Sequence, residues 1–239
     1  MKGVCKIVPV LTCHIMIDKG IFTYLRNHGE KILAPTWAWV IEGGKEPILV
    51  DGGCSYEEFR KYSILTTGGE EAAPIEDSLR KMGISVSDIK TVIMTHLHSD
   101  HCLNAKKFPN ARIIVQKDEL EFARHPHPLF SAIYKGEWYE GLNFQIIQGD
   151  TEIIPGVEAI FSPGHSAGGQ SVSVRTDRGN IVISGFCALD ENFGEKGDII
   201  PAPHVDPLKA YDSIVRLRRI ADMILPLHSQ RLVNMKSIP

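Results

Sequence analysis

Short apolar blocks recur along this chain, separated by glycine, proline and acidic residues, and most are too short for helices. Lys6–Leu11, Thr36–Glu42 and Pro47–Val50 read as strands, the last two joined across Gly43-Gly44-Lys45 as a hairpin. Between them, Asp18–Lys31 is polar and aromatic and reads as a loop near the mouth of a site. Helical periodicity marks Tyr56–Leu65 and Ala73–Lys81, the second closed by Gly83. Ile89–Met94 is β-branched and predicts a buried strand, with a short helix over Leu103–Phe108. Ile113–Val115 continues as strand and Lys117–Arg124 as a short helix. His125–Gly141, rich in proline and aromatic residues, reads as an insertion or lid outside the sheet.

The second half is again strand-rich. Phe144–Ile147, Glu152–Ile154 and Val157–Phe161 are followed by a hairpin of Gln170–Thr176 and Asn180–Ser184 around Asp177-Arg178-Gly179. Pro207–Ile220 predicts an amphipathic helix and Asp222–Leu227 a last buried strand. A chain of 239 residues with 43% apolar content supports one sizeable core, so residues 1–239 are expected to form a single domain.

Composition then removes several classes of function. A net charge of −3 with both signs dispersed gives no basic exosite, and Arg216, Arg218 and Arg219 read as a solvated helix face; nucleic acid is not an expected partner. No apolar run is long enough to span a bilayer, and Met1–Val10 lacks the apolar core of a signal peptide. The odd number of cysteines (5, 13, 54, 102 and 187) has no framework spacing, which suits a reducing compartment and predicts a cytoplasmic protein.

The chemistry concentrates in Thr95-His96-Leu97-His98-Ser99-Asp100-His101-Cys102, on a strand-to-helix turn where α/β sheets place their sites. Neutral imidazole and carboxylate suit zinc, iron or manganese. In an extended turn His96 and His98 point one way, while Asp100 and His101 enter the helix and can aim at a second ion. His165 and His228 each follow a predicted strand, as His96 does, and can close the ligand shell. Asp51, at the end of the Pro47–Val50 strand, reads either as orienting a ligand histidine or as a capping aspartate. Cys102 reads as helix packing, and Cys54 carries little signal; His125 and His127 read as surface histidines, and His204 is within reach of the site mouth but is read as having no role there.

Together THLHSDH, SPGHSAGGQS, the late PLH and VDGG at 50–53 resemble the metallo-β-lactamase superfamily. THLHSDHCLNAKKFPNARIIVQKDELEFA and DENF are most similar to its N-acyl-homoserine-lactonase-like hydrolases. The resemblance implies an α+β fold, the αββα sandwich: two mixed β-sheets face to face, helices on the outer faces, metals at one edge. It implies that His96, His98 and His165 hold one metal and Asp100, His101 and His228 a second. The chain departs from the family after the Asn180–Ser184 strand. Ser184-Gly185-Phe186-Cys187-Ala188-Leu189-Asp190 offers Phe186 or Gly185 where the bridging aspartate is expected, and the tyrosine that lactonases place shortly after it is missing. Cys187 is the nearest residue able to bind a metal; in a strand it would share a face with Gly185, and a small buried apolar cysteine is the other reading.

These residues predict a metal-dependent hydrolase of a small carbonyl substrate, a lactone or related ester or amide, acting through metal-bound hydroxide on one or two divalent ions, zinc first and iron or manganese after it. Asp100 is the expected catalytic residue, holding a metal and orienting the nucleophile. Phe130, Tyr134, Trp138 and Phe186 are the expected walls of the acyl pocket. The alternatives are a thioesterase of glyoxalase II type, an iron-dependent oxidoreductase and a non-catalytic metal-binding protein.

Overall fold

The computed structural model describes residues 4–194, 198–202 and 204–239. Residues 1–3 of the Met1–Val10 stretch lie outside the described residues. Two mixed sheets form the framework, and the strands follow from runs apolar on both faces, as sheets covered on both sides require. The first sheet contains β1 (Lys6–Asp18), β2 (Lys31–Glu42), β3 (Ile48–Val50), β4 (Gly68–Glu71), β5 (Thr91–Ile93), β6 (Arg112–Gln116) and β7 (Phe144–Ile147) in the order β4-β1-β2-β3-β5-β6-β7. The second contains β8 (Thr151–Ile154), β9 (Val157–Phe161), β10 (Gln170–Thr176), β11 (Gly179–Ile183) and β12 (Met223–Leu225) in the order β12-β11-β10-β9-β8.

Alternation along β2 decides which layer each side chain enters. Trp37, Trp39 and Ile41 face the second sheet and pack with Val172, Val174, Ile181 and Ile183 in the core between the sheets. Ala38 and Val40 face outward into a second cluster that also takes Leu79, Leu120, Trp138 and Tyr139. The helices that supply this outer layer are α1 (Tyr56–Tyr62), α2 (Ile75–Lys81), α3 (Ser99–Cys102), α4 (Lys117–Arg124) and α5 (Gly136–Tyr139). On the far side α6 (Pro207–Ile220) lays Ala210, Ile214 and Leu217 on Ile160 and Val182. The expected sandwich of two mixed sheets between helical layers is therefore present. Among the described residues no helix is long and apolar enough to cross a membrane.

Two differences from the sequence reading bear on the site. β1 runs to Asp18, well past Leu11, because β2 pairs with it throughout, from Lys6↔Glu42 to Asp18↔Lys31. β4, a glycine-rich segment with no strand signal of its own, is held as an edge strand by antiparallel pairing to β1. Residues 125–141 lie outside the sheets; Tyr134, Trp138 and Tyr139 are buried in the outer core, and the Tyr139 hydroxyl donates to the Leu97 carbonyl at 2.6 Å.

β3, β5 and β6 are parallel, so the loops after their carboxyl ends emerge on one edge, and the loops after β9, β11 and β12 come to meet them there. A buried amide joins the two sheets at this edge. Gln170 of β10 donates from Nε2 to the Met94 carbonyl at 2.8 Å, accepts from Gln116 Nε2 at 2.9 Å, and donates its backbone N–H to the Thr95 carbonyl at 2.8 Å. The loop after β9 is fixed to α6. The Gly164 carbonyl accepts from Val205 and Asp206, and a Cβ at Gly164 (φ 125°) would fall 2.1 Å from the Ala210 nitrogen. Gly164→Ala should therefore cost at least about 2 kcal/mol through backbone strain and overpacking. An unchanged urea midpoint would show that the loop and helix separate at no cost.

Candidate metal centre

His96, His98, Asp100 and His101 descend from β5 as expected, with His98 at the N-cap of α3 and Asp100 and His101 inside it. His165 stands in the loop beyond β9, Cys187 in the loop beyond β11, and His228 beyond β12. These seven side chains fall into two groups: His96, His98, His165 and Cys187; and Asp100, His101, Cys187 and His228. Within each group one donor atom per residue lies within 4.8 Å of all the others, and every member is buried. The imidazole rings crowd edge to face, with centroids 4.5 Å apart for His96–His98 and 4.9 Å for His98–His165.

The surrounding hydrogen bonds fix which nitrogen faces inward. Thr95 donates its backbone N–H and its hydroxyl to the Asp51 carboxylate, at 2.7 and 2.8 Å. Since that hydroxyl proton is committed, His96 Nδ1, 3.1 Å from Thr95 Oγ1, is the donor there, and its Nε2 lone pair faces the centre. His228 Nδ1 donates to the Pro35 carbonyl at 2.9 Å, leaving Nε2, which makes no hydrogen bond, as a lone pair in the same space. Asp51 also lies 3.1 Å from His101 Nδ1. Its backbone adopts φ 56°, rare outside glycine, and turns the carboxylate under the loop after β5.

Electrostatics favour neutral imidazoles at His96, His98 and His228, and an ionised Asp100 paired with a protonated His101. Burial, followed by repulsion from neighbouring histidines, holds His96 and His98 well below the ordinary imidazole value, and burial brings His228 down to about 4. Burial opposes ionisation of Asp100, but His101, His228 and His98 outweigh it and hold the carboxyl below its usual range. For His101 burial is outweighed by Asp100, with Asp51 assisting, and the ring is raised well above its ordinary value. Burial, then Asp100, pushes the Cys187 thiol up to about 12. Three neutral imidazoles, a carboxylate, and a His101 ring and Cys187 thiol whose protons a cation would displace form a donor set that fits divalent ions.

A family profile described as the metallo-beta-lactamase superfamily matches residues 33–221. The chain belongs to the metallo-beta-lactamase superfamily. It is 31% identical over 232 residues to an N-acyl homoserine lactonase of Bacillus thuringiensis, a match covering 92% of this chain and 89% of that one. It is 35% identical over 157 residues to the N-acyl homoserine lactonase AttM of Rhizobium radiobacter, covering 61% and 59%. A solved N-acyl homoserine lactone hydrolase with the product N-hexanoyl-L-homoserine bound at its catalytic metal centre superposes with a TM-score of 0.80 at 27% identity, covering 97% of this chain and 95% of that one. These matches place the chain among the metal-dependent hydrolases of the superfamily.

A cavity opens beside the two ligand groups. His98, Asp100, His165 and Cys187 lie at one end; Ile15, Ile17, Ile21, Phe22, Phe59 and Leu65 give the rest an apolar wall. The expected wall residues are not there. Trp138 is packed in the outer core, Phe130 lies at the edge of that core, Phe186 is sealed under α6, and Tyr134 turns its hydroxyl to Glu119. Their segment contributes Ala132 and Ile133 instead. Cys187 also arrives differently from the expectation: β11 ends at Ile183, so the loop, and not strand alternation with Gly185, brings it in. Cys102 packs in the outer core as expected, and Cys54 lies with Cys13 beneath the cavity, their sulfurs 3.4 Å apart. His125 and His127 are exposed; His204 is half-buried against Tyr24.

The sequence reading missed Glu119. An acid in the first turn of a short amphipathic helix looks like a solvated face, yet Glu119 is wholly buried. Its carboxylate accepts the Leu97 N–H at 2.9 Å, the Gly168 N–H at 3.0 Å and the Tyr134 hydroxyl at 3.1 Å, tying the loop that carries His96 and His98 to the loop that carries His165. Glu119→Ala strands two buried amides and should cost about 2–5 kcal/mol in urea unfolding. A loss below about 0.5 kcal/mol would mean the loops hold without it.

Proposed function

We propose that this chain opens the ring of N-acyl homoserine lactones or closely similar acyl lactones, with His96, His98 and His165 holding one divalent ion and Asp100, His101 and His228 a second. The observation that carries the reading is the apolar cavity ending on both ligand groups, which suits a polar ring at the centre and an acyl tail along Ile15, Ile17 and Phe59. The relatives support it, being lactonases over nearly the whole length of the chain. Zinc fits the imidazole-rich donors best, and iron or manganese would accept the same groups. When bound, the ions supply Lewis acidity toward the lactone carbonyl and lower the pKa of water.

The chain's own residues supply the rest. Asp100 Oδ2, 3.2 Å from His101 Nε2 and 3.5 Å from His228 Nε2, borders the cavity as an ionised acceptor. It can hold the proton of the attacking water and return it to the leaving ring oxygen. Asp51 and Thr95 keep His96 and His101 oriented while that proton moves. The apolar wall excludes water from the tail and fixes the ring against the centre. All five cysteines are free thiols, which supports a reducing, cytoplasmic setting.

Two outcomes are expected. His96→Ala combined with His98→Ala should remove about one equivalent of metal from reloaded protein, measured by elemental analysis; an unchanged stoichiometry would reassign the first ion. Turnover should vanish on chelation and return with a divalent ion, and kcat/KM should rise roughly fourfold per methylene along a series of acyl chains until the cavity is full, since each buried CH₂ is worth about 0.8 kcal/mol. A profile flat with chain length, or thioester cleavage without lactone opening, would overturn the substrate assignment.

A further inference from the structure

Among the described residues, Cys187 is the one residue that belongs to both ligand groups. Its Sγ lies 3.7 Å from His96 Nε2 in the first group and 3.8 Å from His101 Nε2 in the second. The loop is pinned on both sides of it. Before it, the Gly185 N–H donates to Ser171 Oγ at 2.8 Å. After it, the Ala188 carbonyl accepts the His228 N–H at 3.0 Å, and the Leu189 N–H donates to Asn192 Oδ1 at 2.8 Å. A filler cysteine would meet only carbon; this one borders the cavity and faces two imidazole nitrogens. His228 Nε2, wholly buried and without a hydrogen bond, faces the same space.

Charge makes the placement consequential. Two dications about 3.5–4 Å apart repel strongly unless negative atoms lie between and around them. Asp100 is the only carboxylate in either group. Among the described residues of this loop the two nearest acids point elsewhere, Glu191 pairing with Lys19 at 3.2 Å. Asp190 is turned away to the Ser229 hydroxyl and Arg231. A Cβ at position 185 would fall 2.1 Å from the Gln170 carbonyl oxygen, and Phe186 is packed under α6. Sulfur can do what a carboxylate would: at about 2.3 Å from each ion it spans such a pair at an angle of roughly 100–120°.

We propose that the Cys187 thiolate bridges the two ions and supplies the second fixed negative charge of the centre, a role that rests on the two-ion reading above. On binding, the S–H bond breaks, sulfur bonds to both ions, and the proton leaves to solvent; no electron is transferred. A shared soft ligand biases the pair toward zinc, cobalt or cadmium over magnesium or manganese.

Cobalt(II) titrated into metal-free protein tests this. A sulfur-to-cobalt charge-transfer band should grow through the first and the second equivalent, and in the two-cadmium protein the two ¹¹³Cd resonances should be split by coupling through one sulfur. Cys187→Ser should lose the band and weaken the second equivalent at least tenfold. Cys187→Asp should restore two tight equivalents without the band. A band that saturates at one equivalent puts sulfur on one ion and overturns the bridge. Two tight equivalents with no band, in wild type and Cys187→Ser alike, overturn cysteine ligation while leaving the two-ion centre intact. Wild-type protein that takes up no cobalt overturns the centre itself. Should either variant fail to fold by circular dichroism, the wild-type band and the cadmium splitting decide alone.

Discussion

A carboxylate with no exposed surface would cost several kcal/mol if left without partners, and Asp51 is such a group. Its needs set the geometry of the site edge. The Thr95 amide and hydroxyl and the His101 ring all turn toward it, so the turn after β3, the loop after β5 and helix α3 become one unit. The backbone reinforces the unit, because the N–H groups of Gly52 and Gly53 both donate to the His101 carbonyl, at 2.8 and 3.0 Å. Glu119 repeats the device one layer away, binding the same loop to the one that carries His165. Two buried acids thus place histidines that are far apart in the chain, and each is paid for by donors the fold brings to it.

Much of the fold was legible because both sheets are covered on both faces, which leaves short apolar runs such as Ile113–Val115 and Val157–Phe161 bounded by clear turn residues. The ligand loop was legible for a different reason: three histidines and an aspartate within six residues have few other uses. What was not legible depends on partners remote in sequence. β4 reads Gly-Gly-Glu-Glu and becomes a strand only because β1 extends beside it. Glu119 carries the same local signal as any solvated helical acid until two loops close over it.

The cavity wall was misread for a related reason. Aromatic residues near a proline-rich segment suggest a pocket, but a large ring gains more by full burial than by lining a solvent-filled space, and Trp138 and Tyr139 went into the outer core. The wall fell instead to the far end of β1, where Ile15 and Ile17 sit on one face of a strand longer than its apolar block, and to Phe59 of α1. Cys187 was legible as a candidate and not as a neighbour of both groups, because its position is set by a loop anchored at Ser171 of β10 and at His228 beyond β12.

The spread of these side chains along the chain has a consequence for how the protein comes into being. A chain cut at the passage from the first sheet to the second, near Asp150, would leave His96, His98, Asp100 and His101 on one side and His165, Cys187 and His228 on the other. Neither piece holds a complete group, and the Gln170 hydrogen bonds that bring the edges together run from one piece to the other. An ion therefore cannot template the first steps of folding here, as it does in small metal-nucleated domains. It meets its full set of donors only after long-range contacts such as that of His228 with Pro35 have formed, and its retention reports that the two sheets have docked.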